Sequence, residues 1–291
     1  MSKARQTFER RQLGLMLRRL REAAGESQQS AADLIGKARS QLVELENGRG
    51  TIASDALAKL LDSYGVSADE RQTVVDLGVM ARARLKRRSY TDLLPGSFQR
   101  LADLEASATE ISSYEYGIIP GLLQSLAYVR AMIDDANGVL WEPSNAELEE
   151  RIAFRLDRQA KTVNPAESKT LRIVITEDAL TRPVGSRDVM REQRLHILNL
   201  LERNKNLTVQ VLRSDTYGNP ARGGGFTVLG FGDKGPPIAL TTAVFGPSTY
   251  FDQVSDSEAL LRAFKRLQDL ALDPEGSVRL IDQISRDCGD A

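Results

Sequence analysis

Two glycines constrain this chain more tightly than anything else in it. Gly36 interrupts an apolar pattern that starts after Ser27, and Gly48 ends the next such pattern. Each interval has room for one short helix. Ala31, Ala32, Leu34 and Ile35 give the first a small inner face, and Leu42 and Leu45 give the second its apolar side. Ser27 offers a side-chain oxygen to cap the first helix. Two short helices across a glycine-containing tight turn are the physical content of a helix-turn-helix. Small side chains at Ala31 and Ala32 let the pair close up, so the second helix projects at a set angle with Arg39, Ser40, Gln41 and Glu44 facing outward.

The flanks continue the helical period. Leu13, Met16, Leu17 and Leu20 predict an earlier helix stopped by Gly25, and Leu57, Leu60, Leu61 and Tyr64 predict a later one stopped by Gly65. A fifth, over Ala68 to Arg88, reads as a connecting helix whose basic end either tracks a phosphate backbone or complements the negative pole of its own C-terminus. Residues 1–90 thus form an all-α domain of about five helices. Up to Tyr90 there are 17 basic and 11 acidic residues, a balance of +6, while the remainder carries 22 and 29, or -7, within a total of -1. A positive N-terminal domain favours a polyanionic partner, because phosphate neutralisation releases condensed counterions.

The run "SQQSAADLIGKARSQLVELENGRG" followed by "LAKLLDSYGVS" resembles the Cro/C1-type helix-turn-helix of phage repressors and the Xre regulators, over about Gln12 to Val66. The resemblance implies double-stranded DNA as partner. It implies base reading by Lys37, Arg39, Ser40 and Glu44, backbone contacts from Ser27, Gln28, Gln41, Asn47 and Arg49, and an internal ion pair between Arg21 and Glu46. Chemistry weights these unevenly. The Arg39 guanidinium can hold guanine through two hydrogen bonds or contact phosphate alone; the Ser40 hydroxyl meets several bases; Glu44 either accepts from cytosine or faces solvent.

Beyond Tyr90 helices come first, and after Pro165 the period changes from helix to strand. A helix from about Phe98 to Ala106 leads into an extended piece from Tyr114 to Ile119, after which Pro120 opens another helix; Leu148, Ile152, Phe154 and Leu156 mark a further one before Asn164 and Pro165. Strands come next at Leu171 to Thr176, Leu207 to Leu212, Phe226 to Phe231 and Ile238 to Phe245, the first two separated by a helix from Ser186 to Arg203. Helices from Ser255 to Leu272 and Ser277 to Cys288 close the chain. Residues 91–291 therefore read as an α+β domain with one small mixed sheet flanked by helices.

The tokens "YEYGIIPGLLQSLAYVRAM", "RIAFRLDRQ" and the stretch from "LRIVITEDALTRPVG" to "VQVLRSDTYGNPARGGGFTVLGF" make this half, with the module before it, similar to the WhiJ-like actinobacterial regulators. That likeness implies a very small partner protein encoded alongside. It also keeps open an antitoxin-like reading, in which the chain sequesters that partner and binds DNA as autoregulation.

Chemistry in the second half has little to work with. His196 sits on an amphipathic helix and reads as structural or solvent-facing; Glu177 and Asp178 suit a turn cap better than acid-base work. "ARGGG" at Ala221 to Gly225 precedes a strand and reads as a flexible hairpin connection, not a phosphate loop. Arg182, Arg187 and Arg222 are candidates for binding an acidic ligand. No spacing suits a metal, and no cofactor or catalytic group is expected. The lone Cys288, the polar opening and the lack of a long apolar run point to a cytoplasmic, nucleoid-associated protein with no membrane contact. The expected molecule is not an enzyme but a sequence-specific regulator, a homodimer on a palindromic operator, controlled through its second domain by a protein or small-molecule effector.

Overall fold

The computed structural model describes residues 6–83, 89–140, 144–163, 169–243 and 247–287. In chain order the helices are α1 (Phe8–Ala23), α2 (Gln28–Leu34), α3 (Arg39–Glu46), α4 (Ser54–Ser63), α5 (Ala68–Arg82), α6 (Ser97–Ser107), α7 (Leu126–Ala136), α8 (Asn145–Val163), α9 (Asp178–Thr181), α10 (Arg187–Arg203), α11 (Val254–Leu270) and α12 (Pro274–Asp287). The strands are β1 (Tyr90–Thr91), β2 (Glu110–Glu115), β3 (Thr170–Thr176), β4 (Leu207–Leu212), β5 (Phe226–Gly230), β6 (Ile238–Thr241) and β7 (Thr249–Phe251). As the periodicity predicts, a helical N-terminal region, α1 to α5, precedes an α/β region with one mixed sheet flanked by helices. The chain forms two compact units, one from residues 1–107, 231–238 and 247–254, the other from residues 108–230, 239–246 and 255–291.

In the first unit α1 is the central strut, packed on α3, α5 and α6. Its apolar stripe joins Ala31, Ala32, Leu42, Leu45, Leu57, Leu60, Val74 and Leu77 in one core. A Cβ added at Gly14 would stand 2.5 Å from the carbonyl oxygens of Leu45 and Glu46, so α1 and α3 meet backbone to backbone. Gly48 repeats the device with a positive φ of 71°, and a Cβ there would meet Arg11 Cα at 2.6 Å. Together these glycines set the height of α3 on its support. Two late segments complete the unit. The Phe8 ring packs on Tyr90 and Tyr250, with centroids 4.8 and 4.3 Å away, and its N–H donates to Asp252. β1 and β7 pair antiparallel beside them. Buried Arg100 grips Asp92 with two hydrogen bonds of 2.7 and 2.5 Å, and also donates to the carbonyls of Leu94 and Pro95.

In the second unit β2, β3 and β4 run parallel, β5 pairs antiparallel with β2, and Ala239 to Thr241 of β6 lie beyond β5. β3 is buried over most of its length, as a strand covered on both faces requires. α10 and α12 pack on each other and on β4, while Val129, Ile133 and Ile152 form a separate cluster between α7 and α8.

The structure corrects several expectations. The extended piece expected at Tyr114 to Ile119 is a strand at Glu110–Glu115, and it holds the middle of the sheet. Its alternation is hidden because Ser112 and Ser113 are both buried. Pro120 caps a single 3-10 turn, Gly121–Leu123, and the true helix starts one turn later behind Ser125, whose hydroxyl accepts from Tyr128 N–H. The ARGGG segment is not a hairpin, since β5 pairs with β2 and not with β4 before it. β1, α9 and β7 are too short to show a period. Cys288, Asn164, Pro165 and the basic run at 84–88 lie outside the described residues.

Candidate nucleic-acid interface

The helix pair forms where the glycines place it. Ser27 Oγ accepts from Ser30 N–H at 3.0 Å and starts α2. Gly36, at a φ of 65°, turns the chain so that Lys37 N–H reaches Ala32 O at 2.9 Å. Gln41 reaches back with its amide oxygen to Ala38 N–H at 3.2 Å and organises the first turn of α3. Ala31, Ala32, Leu42 and Leu45 are buried, whereas Arg39, Ser40, Gln41 and Glu44 are exposed and Lys37 is half-exposed. Leu34, expected on the inner face, is instead exposed, because α2 ends there and the two alanines already fill the contact.

Behind the exposed face lies a relay of hydrogen bonds. Arg21 and Glu46, both buried, form a two-pronged pair at 2.6 and 3.0 Å, and Arg21 also donates to Glu26 O. The bond to Glu46 raises the Arg21 pKa. Neighbouring Tyr64 is pushed up to about 12, first by burial and then by the Glu46 charge. Glu46 takes a third bond from the Gln28 amide at 3.0 Å, and the Gln28 carbonyl accepts from Arg39 at 3.2 Å. A buried ion pair thereby orients a glutamine, and the glutamine orients an exposed guanidinium. A fork held in advance loses less conformational freedom when it meets a planar acceptor pair.

On the other flank Arg49 stands 3.4 Å from Glu44 and donates to Asp233 O at 3.0 Å. Its charge offsets the carboxylate on α3. Asn47 accepts from Gln6 through its main-chain oxygen at 2.6 Å, and Arg11 lies over the Phe231 ring at 3.7 Å. Burial lowers the Arg11 pKa to about 10, with Arg49 contributing. The partnership of Arg49 with residues near Phe231 and Asp233 is invisible to sequence reading. No local period links positions 184 residues apart.

The remaining candidates are scattered. Arg182, Arg187 and Arg222 are exposed in the second unit; Arg182 lies against Gly117, Arg187 opens α10, and Arg222 donates to Thr216 O at 3.3 Å. Glu177 is held by Arg213 and by Ser214 N–H, both at 3.1 Å, and Asp178 by the Ser214 hydroxyl at 3.3 Å, so both acids serve the turn. His196 is half-buried with Nε2 unpartnered, and burial lowers its pKa. Among the described residues no group of histidine, cysteine or acidic side chains has metal-binding geometry, and no helix is long and apolar enough to cross a membrane.

A helix-turn-helix domain model matches residues 12–74, and a model described as a domain of unknown function (DUF5753) matches residues 98–283. No curated protein matches the chain. The helix-turn-helix domain supports a DNA-binding regulator.

Proposed function

From the premise that the chain belongs to the DUF5753 family and carries a helix-turn-helix domain ahead of that region, we propose a non-enzymatic transcriptional regulator that binds operator DNA as a homodimer. The observation that carries this reading is the relay from Arg21–Glu46 through Gln28 to Arg39, which presents a guanidinium on an exposed helix of groove-sized diameter. Lys37, Arg39, Ser40 and Glu44 read base edges; Ser27, Gln28, Gln41, Asn47 and Arg49 approach the sugar-phosphate backbone. In this division of labour residues 1–90 hold DNA, while residues 91–291 dimerise and receive the signal. One module reads few base pairs, and two spaced by about one helical turn, roughly 34–36 Å, read a palindrome far more tightly. The resemblance to the WhiJ-like regulators supports the same division.

The test is a gel-shift titration of genomic fragments with the full chain and with Arg39→Ala. The wild type is expected to prefer one fragment, with affinity falling steeply as salt rises. Arg39→Ala is expected to retain non-specific binding while losing about tenfold or more of the preference. Equal preference in both proteins removes the base-reading role of Arg39, and no binding by either removes the regulator reading.

A further inference from the structure

The connection from β5 to β6, residues 231–238, belongs to the first unit, although residues 226–230 and 239–241 are strands of the second. Its ends are anchored and its middle is open. Phe231 and Ile238 are buried, whereas Gly232, Asp233 and Lys234 are exposed. A short turn shapes the exposed part: Lys234 N–H donates to Phe231 O at 3.0 Å, and Gly235 N–H to Gly232 O at 3.4 Å. Pro236 and Pro237 follow, each with a φ fixed by its own ring.

That turn rests on the place where α1 begins and α3 ends. Buried Arg11, in the first turn of α1, lies over the Phe231 ring and donates to Gln6 Oε1 at 2.9 Å. Gly235 packs on both groups so closely that a Cβ there would collide with Gln6 Oε1 and with Arg11 Nη2. Gln6 in turn donates to Asn47 O, and a Cβ at Gly48 would strike the main chain of Arg11. Arg49 closes the circuit by donating to Asp233 O at 3.0 Å. Ring stacking, close packing and a hydrogen bond thus hold residues 231–235 beside Asn47 and Arg49, the two residues after α3 that approach the sugar-phosphate backbone in the reading above.

Charge at this junction is unbalanced. Arg11 has an amide and an aromatic face for partners and no carboxylate among the described residues; burial, and then the Arg49 charge, lower its pKa to about 10. Arg49 is engaged with Glu44. The Lys234 side chain is exposed and, among the described residues, has no hydrogen bond or ion pair. Asp233, the acid on the turn, holds Arg49 with its main-chain carbonyl and not with its carboxylate. Arg11, Arg49 and Lys234 therefore stand against Glu44 and Asp233, and a phosphate supplies the anion that the junction lacks.

We propose that the turn at Gly232–Lys234 extends the DNA interface, with Lys234 contacting a backbone phosphate near the one that Arg49 meets. Part of the grip on DNA then comes from a segment 184 residues along the chain from Arg49. The turn orients Arg49 through a carbonyl and adds a cation of its own. A phosphate contact strengthens binding without reading sequence. The inference rests on the DNA-binding reading and adds a surface to it.

Gel-shift isotherms of the full chain, on its preferred fragment and on an unrelated duplex at several salt concentrations, test it. Lys234→Gln is expected to weaken binding to both duplexes alike, by about threefold or more per protomer, and to lower the log–log salt slope by about one per protomer. Asp233→Asn removes an anion from the turn and keeps the carbonyl that holds Arg49; it is expected to tighten both isotherms about twofold. Lys265→Gln, an equal change of charge at an exposed position of α11, is the control and should bind as wild type does. Unchanged strength and salt slope in Lys234→Gln overturn the inference and leave the regulator reading standing. Tighter binding by Lys234→Gln overturns it too, because the turn would then obstruct the duplex, and so does an equal loss in Lys265→Gln, which would reflect overall charge alone. A wild-type chain that binds neither duplex overturns both readings.

Discussion

Two buried arginine–carboxylate pairs in the first unit are alike in geometry and opposite in use. Arg100 and Asp92 stay within the interior: Asp92 also accepts from the buried Tyr90 hydroxyl at 3.3 Å, and the remaining guanidinium donors go to the main-chain carbonyls of Leu94 and Pro95. Arg21 and Glu46 leave one acceptor position open toward the surface, filled by Gln28, which then holds Arg39. The first pair is an anchor for the stretch between β1 and α6. The second is the base of a pointer. The difference teaches that the next group bonded to a buried ion pair, rather than the pair itself, decides whether the pair only ties the interior or also orients a side chain at the surface.

The sharpest break in that comparison is Arg100→Ala. It strands a buried carboxylate and is expected to cost about 3–5 kcal/mol of stability, seen as a lower denaturant midpoint, with operator preference unchanged in the molecules still folded. Glu46→Gln turns one of the two acceptor oxygens that hold Arg21 and Gln28 into a donor and removes the charge opposite Arg21. About 2 kcal/mol of stability is expected to go, together with part of the operator preference in the same gel shift. Were Arg100→Ala to relax the preference as much as Glu46→Gln, the contrast between anchor and pointer would fail.

Glu115 in the second unit, desolvated and only partly offset by the charge of Arg158, sharpens the contrast from the side of pH. The folded-state pKa of Glu115 stands near 7, above the ordinary 4.5, so the folded state holds a proton that the unfolded chain has released. Stability should therefore fall as pH rises from about 4.5 to 7 and level off above, by roughly 1–3 kcal/mol from this group. Glu115→Gln is expected to flatten that slope and to be the more stable protein at pH 8, as thermal melts across the range would show. The smallest expected effect belongs to Gln28→Ala. It should leave stability within about 1 kcal/mol of wild type while freeing Arg39, so that operator preference falls by a few-fold. A Gln28→Ala protein with full preference would mean that the relay does not orient Arg39.

Much of the molecule is legible in its sequence, and the reason differs by region. The helix-turn-helix shows because each device is local: Ser27 caps three residues ahead, Gly36 turns the chain that contains it, and Leu42 and Leu45 share a face by helical spacing. β4 and the bounds of α10 are equally readable, since long apolar periods announce themselves. β2 escapes its true position because a central strand flanked on both sides buries serines as readily as leucines, which erases the alternation. Leu34 misleads because periodicity does not say where a helix stops filling its neighbour. Residue type alone singles out Arg182, Arg187 and Arg222, which the fold sets on separate stretches, after α9, at the start of α10 and in the loop before β5.

The residues determine unaided the existence of two short helices, the sign of the charge on the N-terminal region, and the order of the longer helices and of β3 to β6 along the chain. Those features arise from steric and solvation preferences acting over a few positions. Tertiary structure alone decided that Arg49 meets the carbonyl of Asp233, that residues 231–238 and 247–254 join the first unit, and that Glu115 at the end of a central strand is desolvated and lies within reach of the Arg158 charge. Such meetings depend on how the whole chain closes its loops to bury apolar surface, and no window of neighbouring residues contains that information.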